Sequence, residues 1–386
     1  MRPDLLTPRQ PVLSDADKID WLRLIRTENV GPITFHKLLA QFGSASAALD
    51  ALPALSRKGG RLKPQTPPTI AAAEAEMEEA AKFGATMIFA AEENYPIGLA
   101  AIDDAPPVLT VRGDLQLLRR GGIGMVGARN ASLNGRKFAE KLARDLGQAG
   151  EVVISGLARG IDTAAHAGAL DTGTIAAVAG GINIVYPAEN KALYDQIADF
   201  GLIVAESPFG TEPIARHFPR RNRIISALAT GVVVVEATLQ SGSLITARMA
   251  AEQGRDVYAV PGHPLDPRAA GPNKLLKDGA ILVESAQDIL TAQADLFGHK
   301  RGLREAAAAW PVFTPPDAPE PAHCAAETGE DAAETILATL SPTPVTVDEI
   351  IQTCHMKTGT VAAALLELEL AGRVQRLPGN RVILLT

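Results

Sequence analysis

The chain has 386 residues, of which 46% are hydrophobic and 21% charged, and its formal net charge is -7. A globular chain of this length can bury more than one core, so two or three domains are expected. An aromatic content of only 4% argues against a surface that grips nucleic acid chiefly by stacking bases on rings. Two cysteines, Cys324 and Cys354, cannot make a disulfide framework, and no stretch has the apolar length of a signal peptide core or a membrane span. The composition predicts a soluble, cytoplasmic protein.

The first block, residues 1–84, has the apolar spacing of an all-helical domain. Ser14 can cap a helix that carries Trp21, Leu22 and Ile25. Residues 29–43 (NVGPITFHKLLAQFG) have the pattern of a turn, a helix and a glycine stop, which is similar to a SAM-like or helix-hairpin-helix element of DNA proteins. A simple helical packing unit fits the same pattern equally well.

In the second block, residues 85–293, short apolar runs alternate with helical segments. This alternation is typical of a parallel sheet with helices on both faces. The predicted strands cover residues 108–112, 123–126, 152–154, 175–179, 202–205, 232–236, 257–260 and 281–283. The predicted fold class is α/β, with an extended Rossmann-like, mostly parallel sheet. Ligands of such sheets bind at the edge where the strands end.

The last block, residues 331–386, follows a Pro/Ala-rich linker predicted over residues 294–330. Three helical segments and a hairpin that turns at residues 378–380 predict a winged helix. Its basic residues are Lys357, Arg373, Arg376 and Arg381, and its acids are Asp331, Glu334, Asp348, Glu349, Glu367 and Glu369, a net charge of -2. Because such a surface attracts phosphates poorly, binding of duplex DNA and contact with protein are both left open.

A cluster of arginines stands out at residues 216–223 (RHFPRRNR), which hold four arginines, one histidine and no acid. Guanidinium groups match phosphate oxygens and stay charged, so this cluster predicts a local anion site. A solvated basic surface is the alternative.

The strand ends supply further candidates. Gly127 and Arg129 end one strand, and the literal G-x-G-x-x-G at residues 122–127 begins too early for a dinucleotide fingerprint. Ser155 and Gly156 form a strand-to-helix turn with donors for an anion. Asp162 and His166 share the face of the next helix, as an acid/base pair or, in the favoured interpretation, as a cap and its hydrogen-bonded partner.

Three more loops follow strands of the same sheet. One has Tyr186, Pro187 and Lys191, another opens a helix with Ser241, Gly242 and Ser243, and a third brings Asn273 and Lys274. No P-loop, HExxH or G-x-S-x-G motif and no metal-ligand spacing is present in the sequence. We therefore expect a binding protein with no catalytic residues, no metal and no cofactor.

Five segments together resemble one known family. SGLARGIDTAAHAGAL, GINIVYPAENKAL, HFPRRNRIISAL, EATLQSGSLITARMAAEQGRDVYAVPG and GPNKLLKDGA, in this order, are similar to the DprA/Smf family of DNA-processing proteins, from about residue 95 to residue 290. The resemblance implies an extended Rossmann domain that binds single-stranded DNA in a basic pocket and forms dimers. It also implies loading of the RecA recombinase onto incoming DNA in natural transformation.

The family's motifs fall here on residues 127–129, 218–223 and 241–246. Some relatives have a lysine directly after the Tyr-Pro pair, where this chain has Ala188, which leaves Lys191 as the nearest cation of that loop. The predicted nucleic-acid-binding residues are Gly127, Arg129, Ser155, Gly156, Arg159, Lys191, Phe218, Arg220, Arg221, Asn222, Arg223, Ser241, Ser243, Asn273 and Lys274. In this hypothesis Arg129, Arg221, Arg223 and Lys274 hold successive phosphates, and Phe218 stacks on a base.

Two other functions remain open. A Rossmann-like enzyme of the lysine-decarboxylase-like type would hydrolyse nucleotides at the same edge, but its PGGxGTxxE motif is absent and residues 241–246 take its place. A winged-helix repressor with an α/β sensor would prefer a duplex operator to single strands.

Overall fold

The computed structural model describes residues 13–58, 65–297, 329–340, 344–354, 356–377 and 379–385. The chain divides into two compact units. The first comprises Met1–Ala75, Asp103–Val108 and Pro311–Thr386, and the second comprises Glu76–Ile102 and Leu109–Trp310. Most of the predicted linker and Cys324 lie outside the described residues, and the predicted domain boundaries stay predictions.

The first unit begins with helices α1 (Asp15–Ile25), α2 (Pro32–Phe42) and α3 (Ala45–Lys58). The Ser14 hydroxyl accepts a hydrogen bond from the Asp17 amide and the Asp17 carboxylate accepts one from the Ser14 amide, a reciprocal cap that fixes the start of α1. Gly43 ends α2 in the left-handed conformation. The predicted N-terminal helical domain is confirmed. Helix α4 (Ile70–Lys82) leads into the second unit.

The second unit is built on a sheet whose described strands have the order β1-β2-β6-β5-β4-β3-β7-β8-β9. The strands are β1 (Thr86–Phe89), β2 (Val108–Gly113), β3 (Gly122–Val126), β4 (Val152–Ser155), β5 (Thr174–Val178), β6 (Leu202–Ala205), β7 (Gly231–Val234), β8 (Asp256–Ala259) and β9 (Ile281–Leu282). From β6 through β9 neighbouring strands are parallel, whereas β2 pairs with β6 antiparallel. The mostly parallel, Rossmann-like sheet is confirmed, and β1 is an addition to the predicted strands.

Both faces of this sheet are buried. In β7, Val232 and Val234 belong to one apolar cluster and Val233 to the other, as expected for a strand covered on both sides. The helices of this unit are α5 (Ile97–Ala100), α6 (Leu133–Gln148), α7 (Ile161–Ala169), α8 (Lys191–Phe200), α9 (His217–Leu228), α10 (Gly242–Glu252), α11 (Ala270–Lys277) and α12 (Ala286–Phe297). Helices α7, α9 and α10 begin where the candidate site lies.

The first unit ends with a winged helix, which confirms that prediction. Its elements are α13 (Gly329–Thr339), β10 (Val345–Thr346), α14 (Val347–Cys354), α15 (Thr358–Leu370), β11 (Val374–Leu377) and β12 (Arg381–Leu384). The three strands pair antiparallel in the order β10-β12-β11. Gly379 and Asn380 turn the hairpin with positive φ, and Pro378 lies outside the described residues.

Within the described ranges no single helix is long and apolar enough to cross a membrane, although the bent pair Pro32–Phe42 and Ala45–Arg57 passes that test of length and composition together.

Candidate nucleic-acid interface

An open pocket of about 460 Å³, here called the edge pocket, lies where strands of the parallel sheet end. The loop after β3 and the first turns of α7, α9 and α10 line it, together with a residue of the loop after β8. The lining residues are Val126–Asn130, Ala158, Asp162, Phe218, Pro219, Arg221, Asn222, Ile225, Thr238, Ser241–Ser243, Ile245, Thr246 and Arg268. A smaller cavity of about 60 Å³, the side cavity, shares Arg129, Ala158 and Phe218 with it.

Arg129 and two rings stand at the shared wall of these cavities. The Arg129 guanidinium lies 5.1 Å from the centre of the Phe218 ring, within the range of a cation–π contact. The Tyr186 ring is 5.5 Å from that of Phe218, and Arg129 and Tyr186 are both exposed. A cation beside an exposed ring and a half-buried ring can hold a phosphate and stack a base at once.

Arg221 lies deeper in the edge pocket. It is 6% exposed, and its Nη1 donates to the Ala177 carbonyl oxygen at 2.7 Å. Burial, with the charge of Arg129 adding to it, lowers the pKa of Arg221 to about 10, and the Asp162 carboxylate opposes that shift. A Cβ atom on Gly156 would lie 1.8 Å from Nη1, so the glycine makes room for this guanidinium. The hydrogen bond to Ala177 and the space beside Gly156 thus fix the position of the Arg221 guanidinium.

The turn after β4 holds a carboxylate of its own. The amides of Gly156 and Ala158 donate to Oδ2 of Asp162 at 3.1 and 3.3 Å. Burial raises the pKa of Asp162, while Arg221 and these two amides lower it. The Ser155 hydroxyl donates to the Met125 carbonyl oxygen at 2.6 Å. The Gly156 amide thus donates to Asp162 and the Ser155 hydroxyl to Met125, and the prediction that both donate to a phosphate requires these bonds to be exchanged.

His166 does not pair with Asp162, in contrast to both sequence interpretations. Its Nδ1 lies 2.7 Å from the Thr174 hydroxyl oxygen, which donates to the Val153 carbonyl. Burial, reinforced by the charge of Arg221, lowers the pKa of His166 to about 3. The ring is therefore neutral at physiological pH and ties α7 to the sheet.

Two other arginines of the cluster converge on one acid. Arg220 and Arg223 each place Nη2 at 2.7 Å from Oε1 of Glu206, which follows β6. The Arg223 side chain is 5% exposed and lines neither cavity, whereas that of Arg220 is 50% exposed. Arg223 is buried and paired with Glu206, so it would have to leave this ion pair to hold a phosphate beside Arg221.

The first turn of α10 points at the edge pocket. The Ser241 hydroxyl accepts a hydrogen bond from the Ser243 amide at 3.4 Å and lies 2.7 Å from the Ser243 hydroxyl. The Asn222 side chain donates to the Gly242 carbonyl oxygen at 3.4 Å, which joins α9 to α10. Ser241 caps the helix, and the positive end of the helix dipole faces the pocket.

The other predicted residues lie farther out or have partners. Gly127 lies in the edge pocket, where a Cβ would come within 2.5 Å of Ile161. Arg159 lines the side cavity and pairs with Glu189 at 2.7 Å. The remaining three line neither cavity, and each has a partner: Lys191 pairs with Asp195, Lys274 with Asp278, and Asn273 with the Gly262 backbone.

Arg268 is a pocket residue that the sequence reasoning missed. It lines the edge pocket and contacts both carboxylate oxygens of Asp266 at 3.0 Å. The available signal was its position in the loop after β8, next to the β7 loop that carries Ser241. Tyr186 was noticed only as part of a loop, and its place beside Phe218 depends on the fold.

Comparison with known proteins identifies this architecture. The family model of DNA recombination-mediator protein A matches residues 86–294, more than half of the chain. The chain belongs to the DprA/Smf family. Models of the DprA-like N-terminal HHH domain and the DprA winged helix domain match residues 15–79 and 315–380. The predicted resemblance is confirmed, and every predicted binding residue lies inside the first of these matches.

Several DprA/Smf relatives are similar over long stretches. The DNA processing protein DprA of Bacillus subtilis is 45% identical over 209 residues, which are 53% of this chain and 70% of that protein. Protein Smf of Escherichia coli is 38% identical over 301 residues, 77% of this chain and 76% of that protein.

Two solved DprA structures share the fold. The X-ray structure from Streptococcus pneumoniae has a TM-score of 0.55 and 41% identity, covering 58% of this chain and 78% of that one. The Helicobacter pylori structure, described by its single-stranded DNA binding mode, has a TM-score of 0.51 and 29% identity, covering 55% of this chain and 96% of that one.

No group of three or more metal-ligating side chains that could hold an ion occurs among the described residues. What the DprA/Smf site offers instead is cations, amides and rings.

Proposed function

We propose that the edge pocket binds single-stranded DNA, and that the protein protects incoming DNA and loads a RecA-type recombinase during transformation. The observation that carries the proposal is Arg129, an exposed cation beside the Phe218 and Tyr186 rings at the mouth of a pocket with Arg221 in its wall. Membership of the DprA/Smf family supports the role in DNA processing, and the Helicobacter pylori relative supports the single strand as ligand.

The pocket offers one strand three kinds of contact. Arg129 and Arg221 provide charge, the first turn of α10 provides the positive end of a helix dipole, and the ring pair provides a stacking surface. Each of these recognises the backbone or the face of any base, so the proposed binding has little sequence preference.

The finer parts of the proposal come from the family resemblance. They are RecA loading and a homodimer formed through the Rossmann-like domain, whereas the proposed cytoplasmic location comes from the composition. Analytical ultracentrifugation would give the mass of the protein in solution and so test the homodimer. RecA ATPase activity on single strands coated with a single-strand-binding protein would report loading, which we expect the wild type to accelerate and Arg129→Ala to accelerate less.

The direct test is the affinity of Arg129→Ala for a labelled single strand, measured by fluorescence anisotropy at several salt concentrations. Loss of one charged contact of about 1.5 kcal/mol corresponds to about tenfold weaker binding. The slope of log affinity against log salt should become shallower by about 0.7, the value of one phosphate contact on a single strand. Lys141→Ala, which removes an equal charge from the exposed pair on α6, is the matched control and should change neither.

Equal affinity and equal slope for Arg129→Ala and the wild type would overturn the assignment. Incubation with nucleotides tests the competing hypothesis at the same time, because robust release of free base would favour the nucleotide-hydrolysing enzyme.

A further inference from the structure

The third helix of the winged helix, α15, is apolar around its whole circumference. Its sequence, TGTVAAALLELEL, has no face of mixed charge, and such helices are normally buried on more than one side. One face belongs to the winged-helix core, which includes Val361, Leu365 and Leu368. A second face carries Leu366, Glu369 and Leu370, which are also buried but lie outside that core cluster. Something other than the winged helix covers this second face.

The N-terminal helices of the same unit cover it. Helix α15 packs against α3. The Asn29 side chain, in the turn before α2, donates to the carbonyl oxygen of Leu370 at 3.5 Å. A Cβ on Gly372 would lie 2.9 Å from that side-chain nitrogen, so the Asn29 side chain packs closely against the Gly372 backbone. The two ends of the described chain therefore meet through α15.

A small buried charge network lies at this contact. Nε of Arg376 is 3.3 Å from Oε2 of Glu369, and their side chains are 4% and 10% exposed. Burial raises the pKa of Glu369, and the Thr34 hydroxyl, the charge of Arg376 and the Lys37 ammonium oppose that shift, with Thr34 and Lys37 reaching it from α2. Burial and the charge of Arg376 lower the pKa of Lys37 to about 8, while Glu369 and Asp103 oppose that shift. Because taking charges out of water is costly, these groups are compensated only while their partners from both sides of the contact stay in place.

The same helix is poorly suited to duplex DNA. Winged helices that read duplexes place their third helix in the major groove, where it needs polar and basic side chains for base edges and phosphates. Residues 358–370 contain no lysine, arginine, asparagine or glutamine, and they contain two acids, Glu367 and Glu369. The chemistry of α15 fits a largely apolar protein partner.

We propose that α15 is a protein-docking helix whose partner is the N-terminal helical block of the same chain, and that the winged helix does not use it to read duplex DNA. The contact holds the two terminal domains together as one unit. It concerns residues separate from the edge pocket, so its failure and that of the single-strand proposal are distinguishable.

Hydrogen exchange of the full-length chain, followed by mass spectrometry, tests the docking. Leu366→Glu places a carboxylate on the covered face outside the winged-helix core. We expect amides of α3 to exchange at least about tenfold faster in this variant, while β11 and β12 stay protected. Ala363→Glu adds the same charge to the exposed face of α15 and is the matched control, with unchanged exchange in α3. Unchanged α3 exchange in Leu366→Glu would overturn the proposal.

A variant on the other side of the contact covers the case in which Leu366→Glu unfolds the winged helix. Lys37→Glu puts a second carboxylate near Glu369 and leaves every winged-helix residue intact. It should speed exchange in α15, whereas Ala40→Glu, at an exposed position of α2, should not. Equal α15 exchange in both variants would contradict docking.

The claim that α15 does not read duplex DNA is tested with the control variant Ala363→Glu. Ala363→Glu adds negative charge where a duplex-reading helix would meet phosphates. Because α15 does not read duplex DNA in our proposal, the affinity of this variant for duplex DNA should equal that of the wild type. A clear loss of duplex affinity in this variant would show that α15 reads DNA.

Discussion

The sheet edge and the winged helix both belong to architectures that bind DNA, yet they present opposite surfaces. At the sheet edge, Arg129 is exposed and Arg221 is fixed in the pocket wall. On the winged helix, the third helix has no cation and its second face is covered by protein. Of these two regions, the sheet edge is the one whose described residues suit a polyanion.

The comparison also shows how each region handles buried charge. In the wall of the edge pocket, the Asp162 carboxylate accepts two backbone amide hydrogen bonds and lies near the charge of Arg221. In the first unit, Arg376 and Glu369 form a pair at a contact between helices. The first arrangement holds Arg221 in the wall of the edge pocket, and the second lies within the contact between α15 and the N-terminal helices.

The largest effect is expected from Gly156→Ala, which tests whether the pocket depends on a fixed Arg221. The new methyl group would lie 1.8 Å from Nη1 and 2.4 Å from Cζ of Arg221, so the guanidinium would have to leave the Ala177 carbonyl. Overpacking of this kind lowers the free energy of unfolding by about 1–3 kcal/mol. Chemical denaturation should show that loss, and anisotropy should show weaker single-strand binding.

Gly242→Ala is the control for this change. Gly242 also lines the edge pocket, but a Cβ there would meet nothing within 4 Å. Its stability should stay within about 0.5 kcal/mol of the wild type. If both alanine variants had the same stability and the same single-strand affinity, the pocket would not require Arg221 at this position.

An intermediate effect is expected from pH, and it should differ between the two units. Burial lowers the pKa of His166 from 6.5 to about 3, so the unfolded state binds more protons than the folded state between these values. Through His166 alone, the second unit should therefore lose about 1.4 kcal/mol between pH 7.5 and pH 5.5, and the raised pKa of Asp162 in the same unit opposes that loss. Burial raises the pKa of Glu369, so its folded state binds more protons and the first unit is not weakened by this group as pH falls.

Hydrogen exchange, corrected for its intrinsic pH dependence, can follow the two units separately. At pH 5.5 the sheet amides should lose protection relative to pH 7.5, and those of α15 should not. In His166→Gln the acid-induced loss in the sheet should shrink. An equal loss in wild type and variant would show that His166 is not the group responsible.

The smallest effect is expected from the outlying lysines. Lys191 and Lys274 are predicted DNA contacts, but each forms an exposed pair on its own helix and lines neither cavity. Replacing either by alanine should change single-strand affinity by about twofold or less, equivalent to about 0.4 kcal/mol. A tenfold loss for either lysine would extend the interface well beyond the edge pocket.

Much of the fold could be predicted because its strands are short apolar runs separated by helices, and all eight predicted strands form. The first strand, β1, was missed because four residues directly after a helix give too little pattern. The antiparallel pairing of β2 with β6 depends on contacts between distant parts of the chain. Sequence periodicity does not contain that information.

The site was predicted less completely, for a different reason. The arginine cluster and the Gly and Ser turns were visible as residue types, but the partner of each side chain was not. Glu206 takes Arg220 and Arg223, and Asp162 takes the amide of Gly156. Both acids were in plain view in the sequence, and only the fold decides which cation or donor each one reaches.

The bond between Arg221 and the Ala177 carbonyl has a consequence for the thermodynamics of binding. A free arginine side chain loses up to about 2 kcal/mol of rotamer entropy when a ligand orders it. Arg221 has given up that freedom during folding, since its guanidinium is already buried and bonded to a strand. The exposed Arg129 contacts the Phe218 ring, and under the proposed function it can leave that ring and move toward an arriving strand. The pocket thus combines one preorganised charge with one adaptable charge.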